Sequence, residues 1–255
     1  MVCLNYVEYG KENNEIIILL HGGGLSWWNY REIAIKLQNK YRIILPILDG
    51  HAGSDAPFTT IENNAKSIIK FIEEQLKQSV LCIGGVSLGA QITLEILSKK
   101  KDICKYALIE SALVLPSKLT RALIKPSLDC SYFLIKYKWF AKMQFKYLKI
   151  KDSLFAEYYN DTCAITKENM IHFMQENMQY TLKEEIKQYS GKIHIFAGEK
   201  EIASIKKSAQ YIHTAIKDST LTYLPKMNHG EYSLNHPEEY VNHLLKIINE
   251  GQSNE

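Results

Sequence analysis

Hydrophobic residues along this chain form two kinds of pattern, which alternate. Short, continuous apolar runs, rich in isoleucine, valine and leucine, are typical of strands buried on both faces of a sheet. Between them, apolar residues recur every three or four positions, as on one face of a helix. The runs are residues 16–20, 42–45, 80–83 and 106–109. Alternating strands and helices predict an α/β fold with a mostly parallel central sheet and helices on both faces.

The pattern is interrupted once. From about Val114 the spacing is helical through residue 190, and strands resume at 193–197 and 221–224 before a final helix that starts at Pro237. We therefore predict a core of residues 1–114 and 191–255, interrupted by a helical cap or lid at 115–190 that folds over one edge.

Two local signals refine this outline. Apolar and polar residues alternate over 2–9, which predicts an edge strand. Thr59 and Glu62 have the spacing of a capping box, which predicts the start of the helix that follows them.

The strand at 80–83 runs directly into the sequence GVSLG, residues 85–89, and then into a helical pattern. A serine between two glycines at a strand-to-helix turn is the layout of a nucleophile elbow. The elbow holds its central residue in a strained, exposed turn, so the flanking positions must be small. Ser87 is the predicted nucleophile.

Three further polar segments also follow predicted strands: HGGG at 21–24, GEKE at 198–201, and a loop that contains His229. Ligands of open parallel sheets collect at the carboxyl ends of the strands. A serine hydroxyl needs a histidine to take its proton, and a carboxylate to hold that histidine in the right tautomer. Ser87, Glu201 and His229 occur in this order. The amide of Leu88, with that of Gly23 or its neighbour Gly24, would stabilise an oxyanion.

Together these motifs resemble the α/β-hydrolase superfamily, and the resemblance covers nearly the whole core, including the DGHAGSD loop at 49–55. It implies that Ser87 is the nucleophile, Glu201 the acid and His229 the base. The resemblance also implies an acyl-serine intermediate and a carboxylesterase-like activity. A serine at the elbow argues against the epoxide hydrolases and haloalkane dehalogenases of this superfamily, which use aspartate there.

The acid of this set has a rival. Aspartate is commoner than glutamate at the position of Glu201, and Glu110, at the end of another predicted strand, is a rival because some members place the acid there. The histidines considered as rivals of His229 are those at positions 21, 51, 194, 213, 236 and 243, and His229 is favoured because it lies in the loop between the last strand and the final helix. His21 and His51 are expected to order their loops.

Composition narrows the class of protein. The chain has 255 residues, 46% hydrophobic, with a formal net charge of +3, which by itself does not favour nucleic acid. No transmembrane segment or secretory signal is evident, and the five cysteines form no CxxC pair, so we expect buried, reduced thiols in a cytoplasmic protein. No metal or cofactor motif is present, and the oligomeric state stays open.

One segment of the cap departs from this average composition. Residues 118–151 contain nine basic residues against one acid, with seven aromatic residues interleaved. Such a mixture suits an anionic lipid surface or nucleic acid. The expectation here is a lid whose aromatic side chains pack on the core while its lysines stay solvated, with peripheral membrane contact as the alternative.

The expected activity is hydrolysis of a carboxylic ester or thioester, a small-molecule substrate with a hydrophobic acyl group, without a cofactor. C–C bond hydrolysis and lysophospholipase activity on the same triad stay open, because cap and pocket shape decide the substrate. A non-catalytic small-molecule receptor of the same fold is the alternative from a different class.

Overall fold

A computed structural model describes residues 4–252 of the chain, and its centre is a sheet of seven strands. The strands are β1 (Tyr6–Tyr9), β2 (Ile16–Leu20), β3 (Arg42–Pro46), β4 (Val80–Val86), β5 (Cys104–Glu110), β6 (Lys192–Gly198) and β7 (Ser219–Leu224). Their order across the sheet is β1-β3-β2-β4-β5-β6-β7. Only β1 runs antiparallel to its neighbour, which confirms the mostly parallel sheet. Val2 and Cys3, at the start of the predicted edge strand, lie outside the described residues.

Within residues 4–252, ten α-helices accompany the sheet. They are α1 (Arg31–Leu37), α2 (Ile61–Phe71), α3 (Leu88–Lys99), α4 (Lys118–Ser131), α5 (Lys138–Tyr147), α6 (Phe155–Ala164), α7 (Lys167–Gln179), α8 (Ala203–Ala215), α9 (Glu231–Asn235) and α10 (Pro237–Gln252). Single helical turns at Trp27–Tyr30, Tyr132–Lys136, Asp152–Leu154 and Glu184–Gln188, and a π-helical turn at Ile72–Leu76, extend or join them.

Strand β2 shows why the sheet lies in the middle. All five of its residues are buried. Because successive side chains of a strand point to opposite faces, Ile16 and Ile18 join one hydrophobic cluster while Ile17 and Leu19 join another. Helices α2, α3 and α8 contribute to the first cluster, and α1 and α10 contribute to the second. Each face of the sheet is therefore covered by its own helical layer.

All helices from α4 to α7 lie between β5 and β6, in the segment where the sequence predicts a helical insertion. Helix α7 is tied to α3: the Gln91 side-chain amide donates to the carbonyl of Asn177 at 2.9 Å, and the Asn177 amide donates to Gln91 Oε1 at 2.8 Å. Gln91 lies one turn after Ser87 on α3. The inserted helices are thus fixed directly above the predicted nucleophile.

Two expectations about local structure are wrong. The N-cap of α2 is Thr60, whose hydroxyl accepts from the Asn63 amide at 3.0 Å, and Glu62 instead pairs with Lys66 and Lys99. The predicted capping box is therefore out of register by one residue, since Thr59 and Thr60 are equivalent as sequence signals. The second wrong expectation is that the aromatic side chains of 118–151 pack on the core. Phe145 is buried, but Phe133, Tyr137, Trp139 and Tyr147 are exposed.

The cysteines differ in environment. Cys82 and Cys104 are buried in β4 and β5, as expected, whereas Cys130 is exposed on α4. Among the described helices, none is long and apolar enough to cross a membrane.

Candidate active site

Ser87 occupies a strained turn between β4 and α3. Its φ is 54° and its ψ −113°, outside the usual regions for a residue with a side chain. The flanking glycines make this turn possible: a Cβ on Gly85 would lie 2.3 Å from the Gly89 carbonyl oxygen, and one on Gly89 would lie 2.1 Å from the Leu20 carbonyl oxygen. The sequence therefore folds into the elbow expected of a nucleophile.

Backbone hydrogen bonds hold the elbow in place. The Ser87 amide donates to the carbonyl of Glu110 on β5 at 2.9 Å, and the Gln91 amide donates to the Ser87 carbonyl at 3.0 Å. Leu88 is the first residue of α3, and the amides of a first helical turn have no partner within the helix. The helix N-terminus also favours negative charge at this point.

The predicted acid and base are in contact. His229 Nδ1 and Glu201 Oε2 are 2.8 Å apart, while Glu201 Oε1 accepts from the Gly198 amide at 2.8 Å and from Ser111 Oγ at 2.7 Å. Burial opposes ionisation of Glu201, but these hydrogen bonds outweigh it and hold the pKa of its carboxyl below the usual value. An ionised carboxylate therefore orients the imidazole through Nδ1, so that Nε2 can act as the base.

The loop that carries His229 lies against the elbow. A Cβ on Gly230 would be 3.4 Å from Cγ2 of Val86, the residue before Ser87. The Gly230 amide also donates to Ser111 Oγ at 3.4 Å, which links this loop to the residue that follows β5. The structure thus gathers the three predicted residues at the carboxyl ends of β4, β6 and β7.

Glu110, the rival acid, has different surroundings. It is the last residue of β5, buried, and its Oε1 accepts from the Ser233 amide at 3.3 Å. Burial, only partly offset by Ser233, raises the pKa of its carboxyl to about 7. The Nδ1 hydrogen bond of His229 goes to Glu201, so the geometry favours Glu201 in the orienting position.

The glycine-rich segment after β2 forms the other side of the site. Of the two candidate oxyanion donors, Gly24 already donates its amide to His51 Nε2 at 3.1 Å. Gly23 lies beside Leu88, since a Cβ on it would be 3.6 Å from Leu88 Cδ2. Since the Gly24 amide is already bonded, the amides of Gly23 and Leu88 stay the predicted pair of donors.

Two buried histidines position this segment, in line with the expectation for His21 and His51. His21 Nε2 accepts from the Leu48 amide and His51 Nε2 accepts from the Gly24 amide, both at 3.1 Å. In this tautomer each Nδ1 donates to a carbonyl, at 2.9 and 3.0 Å. Burial lowers the pKa of His51 to about 4 and that of His21 well below its usual value, so both stay neutral.

A cavity of about 340 Å³ opens above Ser87, between the glycine-rich segment and the inserted helices. Its lining is mostly apolar and includes three methionines, Met170, Met174 and Met178, with Phe173 stacked on His51 at 4.8 Å between ring centroids. Such a cavity accommodates a hydrophobic group next to the serine.

Ser111 is the site residue that the sequence analysis missed. It follows β5 directly, has a φ of 57°, and donates to Glu201. Its only sequence signal is its place after a buried strand, at the edge where the other polar segments meet. Within residues 4–252 no group of three or more His, Cys, Asp or Glu side chains could hold a metal ion.

Comparisons with known proteins agree with this fold. Residues 15–129 match a family model described as the α/β hydrolase fold. Lipase 1 of Psychrobacter immobilis is 27% identical over 135 residues, which cover 51% of this chain and 42% of that protein. The uncharacterized hydrolase YugF of Bacillus subtilis is 31% identical over 106 residues, or 40% and 38% of the two chains. The chain thus spans less than half the length of these curated relatives.

Solved structures match over nearly the whole chain. An esterase from Exiguobacterium antarcticum superposes with a TM-score of 0.81 at 18% identity, covering 96% of this chain and 95% of that one. A bromoperoxidase from Bacillus anthracis gives 0.82 at 15% identity, with the same coverage of 96% and 95%. At these identities the likeness concerns the fold.

Proposed function

Because the chain has the fold of the α/β-hydrolase superfamily, we propose that it is a serine hydrolase that cleaves a carboxylic ester or thioester through an acyl-serine intermediate. The observation that carries the proposal is the pairing of Glu201 with His229 Nδ1 at 2.8 Å, in a loop that lies against the strained Ser87 elbow. An epoxide hydrolase of this superfamily would need an aspartate at the elbow, where this chain has Ser87.

In the first half of the reaction, His229 Nε2 takes the proton of Ser87 Oγ as that oxygen attacks the carbonyl carbon of the substrate. Glu201 stabilises the imidazolium that forms. The tetrahedral intermediate places negative charge on the carbonyl oxygen, and the amides of Gly23 and Leu88 stabilise it, by roughly 3 kcal/mol per donor. The intermediate then expels the alcohol or thiol, which takes the proton from His229 and leaves an acyl group on Ser87.

In the second half of the reaction, water hydrolyses the acyl group on Ser87. His229 Nε2 removes a proton from a water molecule, which attacks the acyl carbon and forms a second tetrahedral intermediate at the same donors. Its collapse breaks the bond to Ser87 Oγ, which recovers the proton from His229. A carboxylic acid leaves, and the enzyme returns to its starting state.

The cavity above Ser87 supports a substrate with a hydrophobic acyl group. Apolar residues of α4 and α7 line it, among them Ile124, Met170 and Phe173. Burial of a methylene contributes about 0.8 kcal/mol, so each carbon that fits inside raises the binding energy. The cavity therefore favours acyl chains longer than acetate.

A series of p-nitrophenyl esters and acyl thioesters of increasing chain length tests this proposal. Ser87→Ala is expected to lower kcat/KM at least about 10³-fold on every hydrolysed substrate. Ser98→Ala is the matched control, because Ser98 lies at the far end of α3, where its hydroxyl donates to the Glu95 carbonyl. If no ester or thioester is hydrolysed, or if Ser87→Ala stays active, the proposal is wrong.

The acyl cavity has a separate test. Ile124→Trp fills part of the cavity and is expected to lower kcat/KM for long-chain esters at least about tenfold, with less than about threefold loss for acetate. An equal loss for both would show that the acyl chain binds elsewhere.

A further inference from the structure

The cap carries a concentration of exposed apolar side chains. Seven of them lie between residues 119 and 147: Leu119, Leu123, Phe133, Tyr137, Trp139, Met143 and Tyr147. We call these seven the apolar cap face. Trp139 and Tyr147 keep 61% and 84% of their surface accessible. So many exposed apolar side chains within one segment make it a candidate interaction surface.

Helix α5 places part of this face beside the active-site cavity. Trp139, Met143 and Tyr147 are spaced four residues apart and form one exposed strip. The residue after each of them, Phe140, Gln144 and Leu148, lines the cavity. Because successive residues of a helix are separated by about 100°, the exposed strip and the cavity strip are neighbours on the helix surface.

Helix α4 repeats this arrangement. Exposed Leu119 and Leu123 precede Thr120 and Ile124, which line the same cavity. Leu148 and Met174 line the cavity as well, and they keep 37% and 36% of their surface accessible. The cavity thus reaches the surface next to the apolar cap face.

The charge around the apolar cap face is positive. Residues 118–151, which include the apolar cap face, contain nine basic residues: Lys118, Arg121, Lys125, Lys136, Lys138, Lys142, Lys146, Lys149 and Lys151. The one acid of this segment, Asp129, is bound by Lys125 at 2.6 Å and by Lys167 at 3.0 Å. On α5, Lys142 and Lys146 flank the apolar strip on the side away from the cavity. A second copy of the same face would be repelled by this charge, whereas an anionic surface would be attracted.

We propose that the apolar cap face docks onto an anionic lipid membrane. Trp and Tyr side chains bind at the boundary between headgroups and acyl chains, and lysines beside them bind the anionic headgroups. In this orientation the mouth of the cavity above Ser87 faces the lipid. Docking needs no chemical step, so it does not depend on the proposed hydrolase activity.

Sedimentation with lipid vesicles tests the proposal. The full chain is expected to pellet with vesicles of phosphatidylcholine containing about 30% phosphatidylserine, and at least about ten times less with phosphatidylcholine alone or at high salt. Ser87→Ala is expected to pellet like the wild type, which separates docking from catalysis. If the wild type does not pellet with the anionic vesicles, or pellets equally with both, the proposal is wrong.

Paired variants locate the contact. Trp139→Ser with Tyr147→Ser is expected to reduce the pelleted fraction at least about fivefold, and Lys142→Glu with Lys146→Glu to do the same. The matched controls are exposed residues outside the cap, in the part of the chain that follows it. They are Tyr211→Ser with Tyr223→Ser for the aromatic pair, and Lys207→Glu with Lys217→Glu for the lysine pair. All eight residues are exposed, so the variants are expected to fold, which circular dichroism checks. An equal loss in these controls would overturn the proposal.

A gel-shift assay with single-stranded DNA tests whether the apolar cap face binds nucleic acid instead of lipid. Basic and aromatic residues together also suit single strands, where bases stack on the rings. The proposal predicts no shift at a protein concentration that saturates the vesicles. A shift in the absence of vesicle binding would assign the face to nucleic acid instead and overturn the proposal.

Discussion

Glu201 and Glu110 are buried carboxylates at the ends of neighbouring strands, but their surroundings differ. Glu201 receives hydrogen bonds from His229, Gly198 and Ser111, which favour its charged form. Glu110 receives hydrogen bonds only from Ser233 among the described residues, and its burial outweighs them and favours the neutral form. Glu201 is therefore suited to stabilise an imidazolium, and Glu110 is not.

Exchange of each glutamate for glutamine separates the two roles. Glu201→Gln removes the charge that orients His229 and is expected to lower kcat on a short activated ester about 10³-fold or more. Glu110→Gln keeps the shape of a neutral carboxyl and is expected to change kcat less than about threefold. Steady-state kinetics of the two variants provide the measurement. A loss confined to Glu110→Gln would assign the acid to Glu110.

The raised pKa of Glu110 also makes stability depend on pH. Between its ordinary value of 4.5 and about 7, Glu110 ionises in the unfolded chain but stays protonated in the folded one. The unfolded state then binds fewer protons, so this group lowers the free energy of unfolding as pH rises through that window, by a total on the order of 3 kcal/mol. Above pH 7 its contribution is constant.

Glu110→Gln is therefore expected to gain stability relative to the wild type as the pH is raised from 5 to 8. Urea unfolding at both values measures this difference, with Glu12→Gln, at an exposed position, as the control. A stability difference between variant and wild type that is the same at both pH values would show that Glu110 is ionised in the folded protein.

Sequence reasoning at this scale identified Ser87 and His229 as candidates from their place after predicted strands, and the structure brings their loops together. It left the acid open, because Glu110 and Glu201 both lie near the ends of predicted strands. The direction of each side chain decides between them, and no spacing encodes it. Ser111 was missed for the same reason, since only the folded loops bring it to Glu201.

At the scale of elements, the elbow depends on two glycines whose neighbours are backbone atoms. A Cβ on Gly89 would lie 2.1 Å from the Leu20 carbonyl oxygen and 2.6 Å from that of His21, and strand β2 cannot yield without loss of its pairing. Helix α3 therefore packs on β2 at a distance that only glycine permits.

Gly89→Ala is accordingly expected to destabilise the protein by several kcal/mol, in the range of overpacked cores. Gly22→Ala is the matched control, since its Cβ would be 3.4 Å from Leu25 Cδ1, an ordinary contact. Thermal unfolding followed by circular dichroism measures both. Equal midpoints for the two variants would show that the elbow can relax around an added methyl group.

Continuous apolar runs predicted the central strands well, and β2 begins and ends where the sequence places it. Short helical elements could not be predicted in the same way. Helix α9 has five residues and the π-helical turn at Ile72–Leu76 also has five, too few for a period of 3.6 to show. The start of α2 shifted by one residue because adjacent threonines compete for the cap.

At the scale of the whole molecule, helical periodicity predicts an insertion at 115–190 but does not show which of its residues face the core. Helix α5 buries Ala141 and Phe145, turns Phe140 and Gln144 to the cavity, and exposes Trp139 and Met143. Apolar residues thus surround most of the helix, so a periodicity argument cannot tell an inner strip from an outer one. Packing on α6, and on Leu25 and Trp28 far away in the sequence, decides the orientation.

Covalent labelling with a fluorophosphonate shows most directly whether Ser87 is an activated nucleophile. Intact-protein mass spectrometry is expected to show one phosphonyl adduct on the wild type, mapped to Ser87 by peptide analysis, and none on Ser87→Ala. His229→Ala is expected to label at least about 10²-fold more slowly, because the base is lost. A folded wild-type protein that takes up no label, or takes it up at another residue, would contradict the account.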